Sequence, residues 1–178
     1  SGRTHRAQHT HSERFQMPNP EPPTKDDFPQ RKYPAHPSPI RRHNAPVILF
    51  VTVGIHDHGA ILANEQVHDA LVSAWLRATH WRVGYYMVMP EHIHLFCAPG
   101  VHAPPKVRTW VKYWKRLAGE EAPVLTSRWQ KDCWDTQMRN REHYLRKLEY
   151  VGENPVRRGL AEQSGDWPYA GRLNELRW

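Results

Sequence analysis

Cysteine is scarce in this chain: Cys97 and Cys133 are the only two in 178 residues. Two thiols, far apart and outside any CxxC, cannot make a disulfide framework or a structural zinc ribbon, and they fit a reducing, cytoplasmic compartment. Long apolar runs are missing too. No stretch approaches the roughly 20 residues of a membrane-spanning helix, and no secretory apolar segment is visible, so no membrane partner is expected. Internal repeats are absent, and with them any stacked repeat architecture. Acidic charge is in deficit. Eighteen Asp and Glu stand against 25 Lys and Arg, a formal net charge of +7 and a pI near 9.6. Such a balance favours a polyanionic partner, nucleic acid first.

Hydrophobic residues make up 39% of the chain, including eight tryptophans, enough for one core. They are unevenly spread. Residues 1–45 hold half of the sixteen prolines, several arginines and histidines, and almost no aliphatic side chains. This Pro/Arg/His-rich N-terminal arm is expected to be flexible and extended, lying along the domain or on DNA, or idle. The domain spans 46–178. "PVILFVTVG" reads as a buried strand, and Asn64 caps a helix with Val67, Ala70, Leu71, Ala74, Trp75 and Ala78 in one stripe. "WRVGYYMVM" and "HIHLFCA" are strands separated by a turn at Pro90-Glu91. A second helix runs from about Pro104 to Ala118, with Val107, Trp110, Val111, Trp114 and Leu117 inward. "RWQKDCWDTQ" is a short fourth strand. Asn140 caps a third helix that ends at Pro155. The expected class is therefore α+β: a ferredoxin-like β-α-β-β-α-β fold with a four-stranded antiparallel sheet and an additional C-terminal helix.

Chemistry concentrates in "MPEHIHLF", residues 89–96. Strand alternation puts His92, His94 and Phe96 on one face and Ile93, Leu95 and Cys97 on the other. The apolar set should meet the two helices, leaving the histidines on the opposite face, where their rings can converge on one metal ion. In the last helix, about 100° per residue gathers Tyr144, Leu145, Leu148, Val151 and Pro155 as a packing face. His143, Lys147, Tyr150 and Asn154 gather on the other side, with Arg146 at the margin. Tyr144 therefore reads as core, and Tyr150 as the phenol that shares a polar, basic face with Asn154. "HDH" at His56 to His58 repeats the spacing in a glycine-flanked loop without a partner motif, and His5, His9 and His11 lie in the arm. Both sets are discounted.

"YYMVMPEHIHLF", "RWQKDCWDTQMRN" and "EYVGENPVRRGLAEQSGDWPYAGR" together resemble the successive signatures of the REP-associated tyrosine transposases, single-tyrosine members of the HUH nucleases. The similarity covers about residues 46–172. It implies a HUH transposase-like catalytic domain that is a single-stranded DNA endonuclease and strand transferase. His92 and His94 would be metal ligands for Mg²⁺ or Mn²⁺, Asn154 a third ligand, and Tyr150 the nucleophile that forms a 5′-phosphotyrosine. It also implies hairpin DNA of a REP-like element as the partner, and a monomer or homodimer. Glu91 departs from the family's usual Asn or Asp, and Thr136 stands where a histidine is common. Lys147 and His143 share the tyrosine's face and can assist its deprotonation. Lys112, Lys115, Arg116, Arg139, Arg157 and Arg158 are the expected phosphate contacts. Trp110 and Trp114 fit the core stripe, and Trp134 is expected to be packed. The alternative function is a catalytically inactive, domesticated DNA-binding protein of the same fold. An RNA-binding ferredoxin-like module is disfavoured, because the third strand lacks its aromatic spacing.

Overall fold

Alternating side chains decide which way the sheet faces. β1 (Leu49–Gly54) buries Leu49, Val51 and Val53, and β3 (His92–Pro99) buries Ile93, Leu95 and Cys97 beside them. In this computed structural model residues 35–42, 45–56 and 59–178 are described, all within the unit Tyr33–Trp178. The expected arm therefore falls outside the described residues over 1–34 and 43–44, as do His5, His9, His11 and His58. β2 (Trp81–Val88) pairs with β3, and β4 (Trp134–Gln137) pairs with β1. The sheet runs β4-β1-β3-β2-β5 with every pairing antiparallel.

β5 (Ala170–Arg172) corrects the expected four-stranded sheet to five. Its Ala-Gly-Arg carries no strand signal of its own and is strand only because β2 offers it a free edge. The fourth strand is also shorter than expected. Only Trp134–Gln137 joins the sheet, while Trp129 makes an isolated bridge to Ile55. The β-α-β-β-α-β succession is otherwise as read.

On one face lie α1 (Glu65–Arg77) and α2 (Val107–Glu121), followed by a 3-10 turn at Pro123–Leu125. The Asn64 side chain accepts from the Val67 N–H at 3.0 Å and caps α1. Val67, Ala70, Leu71, Ala74 and Trp75 of α1 then meet Trp110, Val111, Trp114 and Leu117 of α2 in one core with Ile93, Leu95 and Cys97. Trp110 is fully buried because its indole N–H donates to the Ala78 carbonyl at 2.6 Å.

On the other face lie α3 (Arg141–Gly152) and the short α4 (Asn154–Arg157). Asn140 caps α3 by accepting from the His143 N–H at 2.8 Å. α3 ends at Gly152, three residues before Pro155, since proline has no N–H to continue the ladder. Tyr144 and Val151 pack with Ile48, Met87, Met89 and Phe96 in a second core. Tyr144 meets Phe96 edge to face at 5.3 Å, a contact worth about 1 kcal/mol beyond its buried area. The packing stripe differs from the expected one in two places: Leu145 is 47% exposed and Lys147 only 7%. α3 is rotated so that the step 144, 147, 148, 151 faces the sheet. Lys147 is accepted there because its aliphatic stem covers ring surface.

Candidate functional site

The strand histidines converge. His92 Nε2 and His94 Nε2 are 3.1 Å apart on the sheet face that carries α3. β1 and the Pro90-Glu91 turn fix both rings from behind. Thr52, directly across from His94 in the ladder, bonds its Nδ1 at 3.0 Å. The Glu91 carboxylate holds His92 Nδ1 at 3.3 Å and is itself paired with Arg158. Arg158 keeps the Glu91 carboxyl below its usual range against the opposing effect of burial. Burial lowers the proton affinity of both imidazoles. For His92 the Glu91 carboxylate opposes it, whereas for His94 the neighbouring His92 and Lys147 add to it and push the ring well below its ordinary value. Two neutral rings, each engaged through Nδ1, turn both Nε2 atoms to one point. Nitrogen ligands about 2.1 Å from a shared ion stand about 3 Å apart when they subtend about a right angle, so the pair fits a divalent cation.

Two chains of contact link the Tyr150 ring to the elements that hold this pair. Lys147 Nζ lies 5.2 Å from the Tyr150 ring and 5.0 Å from the Phe50 ring, which stacks on His94 at 5.3 Å. The Arg157 guanidinium lies 4.4 Å from the Tyr150 ring and donates to the Tyr150 carbonyl at 2.7 Å, while the next residue, Arg158, grips Glu91. Asn154 opens α4, and its amide Nδ2 is buried without a hydrogen-bond partner among the described residues. Because an amide can exchange its nitrogen and oxygen by a half-turn, the buried atom can equally be a carbonyl-type ligand. Burial pushes Lys147 down to about 8. His143 is placed less favourably for assisting Tyr150. It sits two turns away, about 10 Å along the axis, and its Nδ1 accepts the Arg139 N–H at 3.3 Å.

The expected phosphate contacts divide between the two faces. Arg157 and Arg158 stand at the site, and Arg139 is exposed at the start of α3. Lys112, Lys115 and Arg116 belong to α2, on the face away from the histidines. Arg116 pairs with Glu120, and Lys115 is buried, donating to the Gln130 carbonyl at 3.0 Å beside the Trp129 ring. The sequence shows α2 as amphipathic but not that a lysine closes its stripe. Burial lowers Lys115 from 10.5 to about 8, so keeping it charged at pH 7 costs about 3 kcal/mol. Lys115→Met should therefore stabilise the fold at pH 7 by about 1–2 kcal/mol, after the lost hydrogen bond is subtracted. The gain should fade from pH 8 towards 10.5, because the folded wild type sheds this proton before the unfolded chain does and so gains stability with pH. Urea unfolding of both proteins at pH 7 and pH 10 checks this. An equal difference at the two pH values would refute it.

A second polar cluster lies on the α1/α2 side of β4. His36 bonds Asp135, its Nε2 is 2.9 Å from Asp132 Oδ1, and Arg108 pairs with Asp132 at 3.0 Å. His36, Asp132 and Cys133 place ligand-type atoms within 4.8 Å of one another. Ile40 exchanges two hydrogen bonds with the Gln137 side chain, each 2.8 Å, so residues 36–42 run beside β4. Both cysteines are buried and free. Among the described residues no helix is long and apolar enough to cross a membrane.

No family model matches the chain. It is 25% identical over 126 residues to a REP-associated tyrosine transposase of Escherichia coli strain K12, covering 68% of this chain and 73% of that relative. A solved structure of a REP-associated tyrosine transposase bound to a REP hairpin superposes with a TM-score of 0.60. It shares 23% identity and covers 75% of this chain and 81% of that one, a likeness of fold.

Proposed function

We propose, from the premise that this chain is a relative of the REP-associated tyrosine transposases, that it is a metal-dependent endonuclease and strand transferase for single-stranded hairpin DNA. One observation carries the reading: a pair of imidazole nitrogens 3.1 Å apart lies on the sheet face beneath the helix that bears Tyr150. His92, His94 and Asn154 would hold a divalent cation, Mg²⁺ or Mn²⁺, which when bound would draw charge from the scissile phosphate.

Tyr150 Oη gives its proton to solvent and attacks phosphorus, the bond from phosphorus to the 3′ oxygen breaks, and that oxygen takes up a proton from solvent and leaves as a free 3′-OH. The DNA 5′ end is then a phosphotyrosine. A second 3′-OH can reverse the step, so strands are exchanged without ATP. A free phenol ionises near pH ~10, so it needs help at neutral pH. Lys147 and Arg157 flank its ring with positive charge, 5.2 and 4.4 Å from its centroid. Thr52 and Glu91 keep the two imidazoles aimed. Arg158 and Arg139 would meet the DNA backbone.

The test is a denaturing gel after incubation with labelled single-stranded hairpin DNA and Mn²⁺. A band at the mass of protein plus DNA is expected, and excess EDTA should remove it. DNA binding without any adduct under Mn²⁺ would instead leave a non-catalytic DNA-binding descendant.

A further inference from the structure

We propose that Trp134 is the platform on which an unpaired base stacks beside the scissile phosphate, a subsite of the single-stranded DNA reading above and resting on it. Trp134 was expected to be packed, yet it is 40% exposed. The large indoles of Trp75, Trp81, Trp110 and Trp114 are all 3% exposed or less. Its position explains the difference. Trp134 sits directly across from Thr52, and Thr52 directly across from His94. Residues opposite one another in an antiparallel ladder project from the same face. The indole therefore stands on the histidine face, two strand spacings from His94, about 10 Å.

β4 is the last strand of the sheet, and although residues 36–42 run beside it the indole stays 40% exposed. α3 covers the Phe50 and Phe96 end of the face through Lys147 and Tyr144. Among the described residues neither of these contacts of α3 reaches the Thr52 end beside the site. Lys131, three residues before Trp134, is exposed, and Arg158 pairs with Glu91 beside His92. An exposed apolar ring on the same face as the imidazole pair suits a group with a flat π-face joined to a phosphate. An unpaired nucleobase is such a group.

The experiment is a binding titration in EDTA, which blocks cleavage, with labelled hairpin DNA whose single-stranded flank is made abasic one nucleotide at a time. Wild type should lose about tenfold or more in affinity at one position. Trp134→Ala should bind the intact DNA that much more weakly and lose nothing further at that position. Trp134→Phe should keep most of the affinity. More than half of the indole is covered, so the unfolding midpoints of the three proteins are read first and the titrations run well below the lowest. If Trp134→Ala weakens intact and abasic DNA by the same factor, or weakens neither, the platform is refuted. The two readings separate cleanly: base coupling at Trp134 without a covalent adduct supports the platform and removes the nuclease, while an adduct without coupling does the reverse.

Discussion

Tyr150→Phe should fold, bind labelled hairpin DNA as wild type does, and form no covalent adduct, a loss of at least about 10³-fold in adduct yield. Only Oη is removed. The half-buried ring, its contact with Arg157 at 4.4 Å and the backbone bond from Arg157 all remain, so stability should change by less than about 1 kcal/mol. Tyr144→Phe is the matched control six residues earlier on the same helix. Its hydroxyl is buried without a partner among the described residues, and its ring packs on Phe96. Deleting a buried, unsatisfied hydroxyl is close to neutral or mildly stabilising, and the adduct should persist. The reverse pattern, an adduct with Tyr150→Phe and none with Tyr144→Phe, would show that the wrong phenol has been assigned.

These two tyrosines also mark how far the sequence can be read. That Tyr144 is the core ring follows from helical period alone, and the structure places it at 4% exposure, with Tyr150 only partly buried against the same cluster. The common face of His92, His94 and Phe96 follows equally from strand period, because β3 is regular and flanked by β1 and β2 on its two edges. Features that depend on a second element were not legible. Which side of α3 meets the sheet is set by the ring surface it lands on, and Phe50 drew in Lys147 where Leu145 was expected. Thr52 and Glu91 have no signal without the ladder register and the turn that point them at the imidazoles. Trp134 looks like any core tryptophan until β4 is known to be an edge strand with its odd face turned to the histidines. Lys112, Lys115 and Arg116 were grouped with the site by charge, which says nothing about the side of a sheet.

His94→Ala should weaken Mn²⁺ binding by at least about 100-fold and abolish the adduct, while leaving metal-free DNA binding intact. A metal held by two imidazoles and an amide loses a strong neutral donor that no neighbour can replace. Thr52 then faces a void and Phe50 loses its stacking partner at 5.3 Å. Thr52→Val is the finer probe. It keeps shape and strand propensity and deletes only the hydroxyl bonded to His94 Nδ1 at 3.0 Å. Orientation of a ligand from behind is commonly worth 10- to 100-fold in metal affinity, so Thr52→Val should fall between wild type and His94→Ala, at about tenfold. Titration of each protein with Mn²⁺, followed by the metal's own paramagnetic signal, reads the affinity without any cleavage. The graded order is what a shared ion between the two rings requires. If His94→Ala binds Mn²⁺ as tightly as wild type, the ion sits elsewhere, and the His36, Asp132 and Cys133 cluster becomes the place to look.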